Sequence, residues 1–317
     1  SSSIDAAALA AAKAMRDKNG IDVATVARAH FDQNMKGQAS TYHTITQFDV
    51  TSSKTDVNIT ASADVRTLFA RAAGIDKIKV TRKTTAAYNP VDIEIAMQLD
   101  VTGSMRGQKL ADLKVAAKDL VDIMLPDGGT PNKVRVALAP FAAGVDAGSF
   151  AKAVTNSRST SNTCVYERRT AGNDATDAAP TGNNDSLKLQ SDLPGANTCS
   201  RGSSVLPLTN DKAKIKTKVD AFAADGYTAG HLGTAWAWYT LSPNWSGVWG
   251  ADTGAAYNPK VTKKYAILMT DGEYNTFGGV AGNTSKSQQQ AKSLCDAMKS
   301  KGLIVYTVGF KLDNSGA

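Results

Sequence analysis

The hydrophobic pattern of residues 1–89 changes once, from a helical period to a strand period. Apolar residues recur at spacings of three and four in residues 4–18, which are rich in alanine, and the helical period continues through residues 22–36. Apolar and polar residues alternate over residues 42–65, which predicts two antiparallel strands, and residues 77–82 predict a third. We therefore expect a small α+β unit with a long N-terminal helix and an antiparallel sheet.

From residue 90 onward, apolar segments of strand length alternate with amphipathic segments of helix length. The predicted strands are Ile93–Leu99, Val134–Phe141, Tyr265–Thr270 and Leu303–Phe310, and the predicted helices are Lys109–Leu125 and Ser285–Ser300. Strands that alternate with helices indicate a mostly parallel sheet covered on both faces, so we expect an α/β domain over residues 90–317. Residues 155–203 are polar and show no sustained period, which indicates an insertion in this domain.

Composition and charge exclude several classes of function. The hydrophobic fraction of 42% and the charged fraction of 21% are those of a water-soluble globular protein. The formal net charge of +7 arises from Lys and Arg residues spread along the chain, so nucleic-acid binding is not expected. No apolar stretch approaches the roughly 18–20 residues that cross a bilayer. The chain begins with Ser1 rather than methionine, so we expect any targeting or anchoring segment to lie upstream of it.

Two of the three cysteines enclose the polar insertion. We expect Cys164 and Cys199 to form a disulfide that closes this loop, because a buried apolar role is not expected for either residue in such a segment. A disulfide implies an oxidising compartment such as the periplasm or the cell surface, whereas two free thiols would fit a cytosolic protein. Cys295 lies in a helical pattern and is either a buried thiol or partnered beyond residue 317.

The strongest candidate chemistry lies where two predicted strands end. Asp100 follows the first strand of the α/β domain and is succeeded by the hydroxyl groups of Thr102 and Ser104, and Asp271 follows the strand at residues 265–270. The carboxyl ends of parallel strands meet at one edge of a sheet, so these oxygen donors should converge. Oxygen donors without His or Cys favour Mg²⁺ or Ca²⁺, and a small number of protein ligands favours Mg²⁺. The alternative is that both aspartates cap the helices that follow them.

These residues resemble a known type of metal site. The segment Asp100-Val101-Thr102-Gly103-Ser104 resembles the Asp-x-Ser-x-Ser core of the metal-ion-dependent adhesion site in von Willebrand factor A domains, with Thr102 in place of the usual serine. The segment Gly226-Tyr227-Thr228 is similar to the threonine loop of that site, and Met269-Thr270-Asp271-Gly272 is similar to its second aspartate segment.

The resemblance implies a doubly wound, mostly parallel sheet that holds one divalent metal, Mg²⁺ with Mn²⁺ or Ca²⁺ as alternatives. The three hydroxyl groups would contact the metal, the two carboxylates would act partly through water, and one position would remain for a ligand carboxylate. It also implies that residues 203–209 form an antiparallel edge strand, which places the insertion at the metal edge of the sheet. The implied metal-site residues are Asp100, Thr102, Ser104, Thr228 and Asp271.

A second resemblance covers the whole chain. The alanine-rich start, Ile4–Lys13, and the segment Gly233–Pro243 with its two tryptophans resemble the TadG group of the bacterial tight-adherence (Flp-type) pilus system. In that group a membrane-spanning helix precedes the alanine-rich segment, and the leading helix and sheet are similar to a minor pilin. The resemblance implies an extracytoplasmic protein of the bacterial surface or pilus, anchored by a helix upstream of residue 1. Its partners would be pilin or pilus-assembly subunits, or a surface ligand with a carboxylate.

Binding rather than catalysis is therefore the expected function. The sequence contains no Gly-x-Ser-x-Gly elbow, no Gly-x-x-x-x-Gly-Lys phosphate loop and no His-Glu-x-x-His metal motif. A Mg²⁺-dependent hydrolase or phosphatase that uses the same aspartates is the alternative. It is less favoured because the sequence ties no Lys or Arg clamp to the two strands.

Several aromatic residues near these motifs leave their roles open. Trp236 and Trp238 lie two apart on a predicted helix, so at least one should pack in the core. Trp245 and Trp249 lie in a loop rich in Pro, Gly and Asn, where they could serve the core or a partner. His231 follows the threonine loop, and because a hard Mg²⁺ site does not need imidazole, we expect a polar surface role for it.

Overall fold

The structure is a computed structural model that describes most of the chain. The described residues are 2–17, 21–36, 43–53, 55–67, 71, 74–87, 91–130, 132–155, 163–168, 175–180, 188–191, 199–272 and 274–310. The chain divides into two compact units, Ser1–Pro90 with Gly128–Pro131, and Val91–Asp127 with Asn132–Ala317. In the described part, no helix has both the length and the apolar character needed to span a membrane.

The first unit is a pair of helices on a small antiparallel sheet. Its elements are α1 (Ser2–Asp17), α2 (Val23–Met35), β1 (His43–Ser52), β2 (Asp56–Arg66) and β3 (Lys77–Ala87). The strands lie in the order β1-β2-β3, and both pairings are antiparallel. The core combines small α1 side chains such as Ala7 and Ala11 with Phe31 of α2 and with Val57 and Ile59 of β2. Small side chains let the helix lie close to its neighbours, which explains the alanine-rich sequence.

Strand β3 is longer than the sequence predicted. Hydrogen bonds pair it with β2 along its full length, from Lys77 opposite Arg66 to Ala87 opposite Asp56. Most of its side chains are exposed. Main-chain pairing therefore sets its length, and an apolar pattern underestimates it.

The second unit is built on a five-stranded mixed sheet. Its strands are β4 (Asp92–Asp100), β5 (Val134–Phe141), β6 (Val145–Asp146), β7 (Cys164–Val165), β8 (Leu206–Thr209), β9 (Thr262–Thr270), β10 (Thr276–Phe277), β11 (Val280–Ala281) and β12 (Ile304–Gly309). Its helices are α3 (Gln108–Met124), α4 (Ala151–Val154), α5 (Lys212–Asp220), α6 (Gly230–Leu241), α7 (Ser246–Trp249) and α8 (Thr284–Ser300). The five strands lie in the order β12-β9-β4-β5-β8, with β6-β7 and β10-β11 as separate short ladders.

The central pairings are parallel, and one edge strand is antiparallel. Strand β4 pairs in parallel with β5 and β9, and β9 pairs in parallel with β12. Strand β8 pairs with β5 in the antiparallel direction, as predicted for residues 203–209, although it begins only at Leu206. The mixed α/β sheet is thus confirmed, and a full doubly wound arrangement of the von Willebrand type stays a prediction.

Side chains point alternately to the two faces of each strand, and both faces of the sheet are covered by helices. On one face Ile95, Met97 and Leu99 of β4 share a core with Leu113 of α3 and Ile215 of α5. On the other face, the sheet presents small residues to helix α6 and its neighbours. These residues are Ala96, Ala137, Ala139 and Ala266. A face of alanines leaves room for a helix that is itself bulky.

Helix α6 fills that room and is buried along its whole length. Gly233 lies against Phe141, where an added Cβ would come within 2.5 Å of the ring, so the close approach requires glycine. Trp236 and Trp238 are both buried. Trp245 and Trp249 were predicted to lie in a loop, but Trp249 ends α7, and both are buried in the core with stacked rings 5.5 Å apart. The threonine loop therefore leads directly into a fully buried helix.

Candidate functional site

The first predicted site residue, Asp100, lies at the carboxyl end of β4 and is fully buried. Its Oδ1 accepts hydrogen bonds from the backbone amide of Thr102 at 3.0 Å and from Thr102 Oγ1 at 2.6 Å. Its Oδ2 accepts one from Thr270 Oγ1 at 2.7 Å. Thr270 ends the neighbouring parallel strand β9, so the contact follows from the two strands ending at the same edge.

A continuous series of short polar contacts joins Asp100 to the second aspartate. Thr102 Oγ1 lies 2.9 Å from Ser104 Oγ, and Ser104 Oγ donates to Asp271 Oδ1 at 2.9 Å. Thr102 is buried and Asp271 is 7% exposed, whereas Ser104 is exposed. The structure therefore brings four of the five predicted residues together in a buried group that opens to solvent at Ser104.

The threonine loop lies beside this group and is held by its backbone. The amide of Gly103 donates to Gly226 O at 2.8 Å, and a Cβ added to Gly103 would lie 3.2 Å from that oxygen. The amide of Thr228 donates to Asn275 Oδ1 at 3.2 Å, and Thr228 O accepts from Asn275 N at 3.0 Å and from Thr276 N at 3.1 Å. These bonds anchor the buried Thr228 between the segments that follow β4 and β9.

Neither aspartate caps the helix that follows its strand. Helix α3 has Gly107 at its N-cap position and α8 has Asn283, and neither cap makes a side-chain hydrogen bond. The capping alternative is therefore wrong for these helices. The carboxylates of Asp100 and Asp271 instead accept hydrogen bonds from hydroxyl groups that surround them.

The electrostatics of the two carboxylates differ. Burial raises the pKa of Asp100, and the nearby charge of Asp271 raises it further, against the lowering effect of hydrogen bonds from Thr102 and Thr270. Asp271 has an ammonium partner, since Lys109 Nζ donates to its Oδ2 at 2.8 Å. No Lys or Arg was expected at these strand ends, and this expectation is wrong because Lys109 of α3 reaches Asp271. Lys109 is the second residue of α3, and its place just after the Asp100 segment was the available signal.

The donor chemistry fits a hard cation. Two carboxylates and three hydroxyl groups are oxygen ligands of the kind that Mg²⁺ accepts. Among the described residues, no group of three or more His, Cys, Asp or Glu side chains is placed to hold a metal, so any cation at this edge would depend on the hydroxyl groups. That the five residues hold a metal stays a prediction.

The insertion is closed by a disulfide, and buried polar contacts attach it to the same unit. Cys164 and Cys199 are bonded, with their Cα atoms 5.5 Å apart, which confirms the predicted pairing. Cys295 is a free, half-buried thiol. Asp177 accepts hydrogen bonds from Ser242 Oγ at 2.5 Å and from Tyr257 OH at 2.6 Å. Most of the insertion lies outside the described residues.

A further contact of the insertion, made by Glu167, reaches the first turn of α6. Glu167 Oε1 accepts a hydrogen bond from the amide of Gly278 at 2.8 Å and lies 2.7 Å from His231 Nε2. His231 Nδ1 lies 2.7 Å from Ser287 Oγ, and the ring stacks on Phe277. His231 is fully buried, so the expected surface role is wrong, because both ring nitrogens have partners inside the fold. Glu167 of the insertion thus contacts a residue that follows the threonine loop by three positions.

Glu167 remains acidic despite its burial. Burial raises the pKa of Glu167, but its contact with His231 and the hydrogen bond from Gly278 outweigh this effect, and the net pKa is lowered. An ionised Glu167 accepts a hydrogen bond from His231 only if Nε2 carries a hydrogen.

Comparison with family models and with characterised proteins found no match. Solved structures with partial similarity include the vWF domain of a type V pilus tip protein from Porphyromonas gingivalis, which is 18% identical over 58% of this chain and 39% of that chain, with a TM-score of 0.31. The pilus adhesin SpaC from Lactobacillus rhamnosus GG, in its open conformation, is 12% identical over 89% of this chain and 30% of that chain, with a TM-score of 0.38. The pilus adhesin RrgA from Streptococcus pneumoniae is 17% identical over 74% of this chain and 25% of that chain, with a TM-score of 0.30.

These alignments span less than half of each pilus protein, and the three TM-scores lie below 0.5. They do not establish the fold or the function of this chain. Any proposed function therefore rests on the geometry of the candidate site.

Proposed function

We propose that this chain is an extracytoplasmic adhesion or pilus-assembly protein that holds one divalent cation, Mg²⁺, and binds an acidic group of a protein partner there. The cation would supply a coordination position for a carboxylate of the partner. The chain would hold the ion at the carboxyl end of the central sheet. The proposed ligands, directly or through water, are Asp100, Thr102, Ser104, Thr228 and Asp271.

The series of polar contacts from Asp100 through Thr102 and Ser104 to Asp271 is the observation that carries the proposal. It joins two carboxylates that are 171 positions apart in the numbering into one group with hydroxyl oxygens between them. Two buried carboxylates in one group are unfavourable unless positive charge balances both, and Lys109 pairs with Asp271, so a divalent cation would be stabilising there. The exposed Ser104 gives the group an opening to solvent.

The disulfide supports the extracytoplasmic placement. Cross-links such as Cys164–Cys199 persist in oxidising compartments and are rare in the cytosol. Membership of the TadG group rests on sequence resemblance. Its tryptophan-bearing segment is a buried helix here, so core packing is sufficient to explain that part of the resemblance.

Calorimetric titration of the full chain with Mg²⁺ and with Mn²⁺ tests the cation site. We expect one ion per molecule, and we expect Asp100→Ala and Asp271→Ala to abolish binding while circular dichroism shows the fold retained. Asp225→Ala is the matched control, because Asp225 is an exposed aspartate paired with Arg106 on the same unit. Undiminished binding in either site variant would refute the proposed ligand set.

An activity assay separates this proposal from the hydrolase alternative. Wild-type chain with Mg²⁺ is incubated with p-nitrophenyl phosphate, and Asp100→Ala is the reference. We expect equal release of nitrophenol from the two. Mg²⁺-dependent release that Asp100→Ala removes would favour a phosphatase over a binding protein.

A further inference from the structure

Lys109 contacts the candidate metal site but belongs to none of its motifs. Its Nζ donates to Asp271 Oδ2 at 2.8 Å, while the other oxygen of Asp271 accepts from Ser104 Oγ at 2.9 Å. The side chain of Asp271 is 2% exposed and that of Lys109 is 28% exposed. The ammonium therefore reaches from the partly open first turn of α3 to a carboxylate that is almost fully buried.

We propose that Lys109 is a tethered cation, which pairs with Asp271 when no metal is bound and weakens the affinity of the site for a divalent ion. This inference rests on the proposed function, because it concerns the same site. A buried carboxylate needs a positive partner, and Lys109 provides one from within the chain. A metal ion beside Asp271 has to share that carboxylate with an ammonium group, and the two positive charges repel each other.

The two aspartates of the site are unequal in this respect. Among the ion pairs of the described residues, Asp271 takes part in one with Lys109, and none includes Asp100. Asp100 is held by the hydroxyl groups of Thr102 and Thr270 and by a backbone amide. Lys109 thus neutralises one of two buried negative charges, which allows the metal-free chain to keep the site assembled while one charge remains to attract a cation.

The opposite role would be that Lys109 only orients Asp271 for the metal. An orienting lysine and a competing lysine give changes of opposite sign when the ammonium is removed. Loss of an orienting group weakens metal binding, whereas loss of a competing positive charge strengthens it. The competing role is favoured because a full positive charge close to the ion acts over a longer range than one hydrogen bond.

The test compares three variants of the full chain by calorimetric titration with Mn²⁺ and Mg²⁺. Lys109→Met removes the ammonium, and Lys109→Arg keeps the charge. Lys118→Met is the matched control, since Lys118 lies on the same helix, has a similar exposure of 31% and pairs with Asp220. We expect Lys109→Met to bind Mn²⁺ about tenfold more tightly than wild type, and Lys109→Arg and Lys118→Met to bind within about twofold of it.

Thermal unfolding gives a second readout that does not depend on a measured metal affinity. In EDTA, Lys109→Met should unfold at a lower temperature than Lys118→Met, because it leaves Asp271 without its partner. Saturating Mn²⁺ should remove that difference, since the metal then neutralises the carboxylate.

The possible outcomes separate this inference from the proposed function. If wild type binds Mn²⁺ and Lys109→Met binds it equally or more weakly, the competing role is overturned and the metal site stands. If Lys109→Met alone binds, the competing role is supported in its strongest form. If no variant binds Mn²⁺ or Mg²⁺, the metal site is refuted and this inference with it.

Discussion

The two ends of strand β4 both bury a carboxylate, but they treat its charge differently. Glu94, near the amino end, is paired with Lys264 of β9 and Arg135 of β5, and it also accepts a hydrogen bond from the amide of Ala255 at 3.0 Å. Asp100, at the carboxyl end, accepts hydrogen bonds from hydroxyl groups and one backbone amide. At the amino end two cations face one carboxylate, whereas no ion pair of the described residues includes Asp100 at the carboxyl end.

Burial alone therefore does not distinguish a structural carboxylate from a candidate ligand. Glu94 and Asp100 are 3% and 0% exposed, so they are equally removed from water. The two cations at the amino end each donate a further hydrogen bond to the backbone. Lys264 Nζ donates to Leu241 O and Arg135 Nη2 donates to Thr253 O, both at 2.8 Å. The difference lies in the partners, and it can be tested by removing one carboxylate at a time.

The largest effect on stability is expected at the amino end. Glu94→Ala leaves Lys264 and Arg135 buried without their carboxylate, which should lower the free energy of unfolding by about 3–5 kcal/mol. Urea denaturation with and without Mg²⁺ measures this loss, which should be the same in both. Asp225→Ala, which removes an exposed ion pair, should cost less than about 1 kcal/mol. A similar small loss for Glu94→Ala would mean that the contrast between the two ends is not one of charge balance.

An intermediate effect is expected at the carboxyl end, and only when metal is present. Asp100→Asn keeps the size of the side chain and an oxygen that can accept from Thr102, so in EDTA its unfolding free energy should stay within about 1 kcal/mol of wild type. At a Mg²⁺ concentration 100 times the dissociation constant, wild type should gain about 2.7 kcal/mol and Asp100→Asn should gain nothing. Equal stabilisation of both proteins by Mg²⁺ would place the ion elsewhere.

The smallest effect is expected at Glu167. Its partner is His231, whereas Glu94 is paired with Lys and Arg, and Asp100 is bonded to hydroxyl groups. Its pKa is lowered in the folded chain, so its contribution to stability is present above the ordinary pKa of about 4.3 and is lost as pH falls through the folded value. Glu167→Gln should lower the free energy of unfolding by about 1 kcal/mol at pH 7. It should also make the loss of stability between about pH 5 and 3 less steep. Urea titrations at each pH measure this decline in stability. If the decline is unchanged in Glu167→Gln, other carboxyl groups cause it.

The local pattern of the chain was sufficient to predict the four parallel strands and the two longest helices of the second unit. Val134–Phe141 has the same bounds in the structure, and the helix predicted at Lys109–Leu125 spans Gln108–Met124. Apolar strand segments and helical periods record which side chains face the core, and this information is local. The pairing of Cys164 with Cys199 was also predicted, because the two cysteines enclose a polar segment, and the structure decides against the alternative of two free thiols.

The sequence by itself also determined the candidate oxygen donors, since Asp100 and Asp271 each follow an apolar strand. It did not determine their partners. Lys109 lies 162 positions from Asp271, and His231 lies 64 positions from Glu167, so these contacts arise only once the strand order β12-β9-β4-β5-β8 brings distant segments together. A local period encodes which face of a strand or helix is buried, but not which other segment covers it, and the tertiary structure alone decided how each buried charge is balanced.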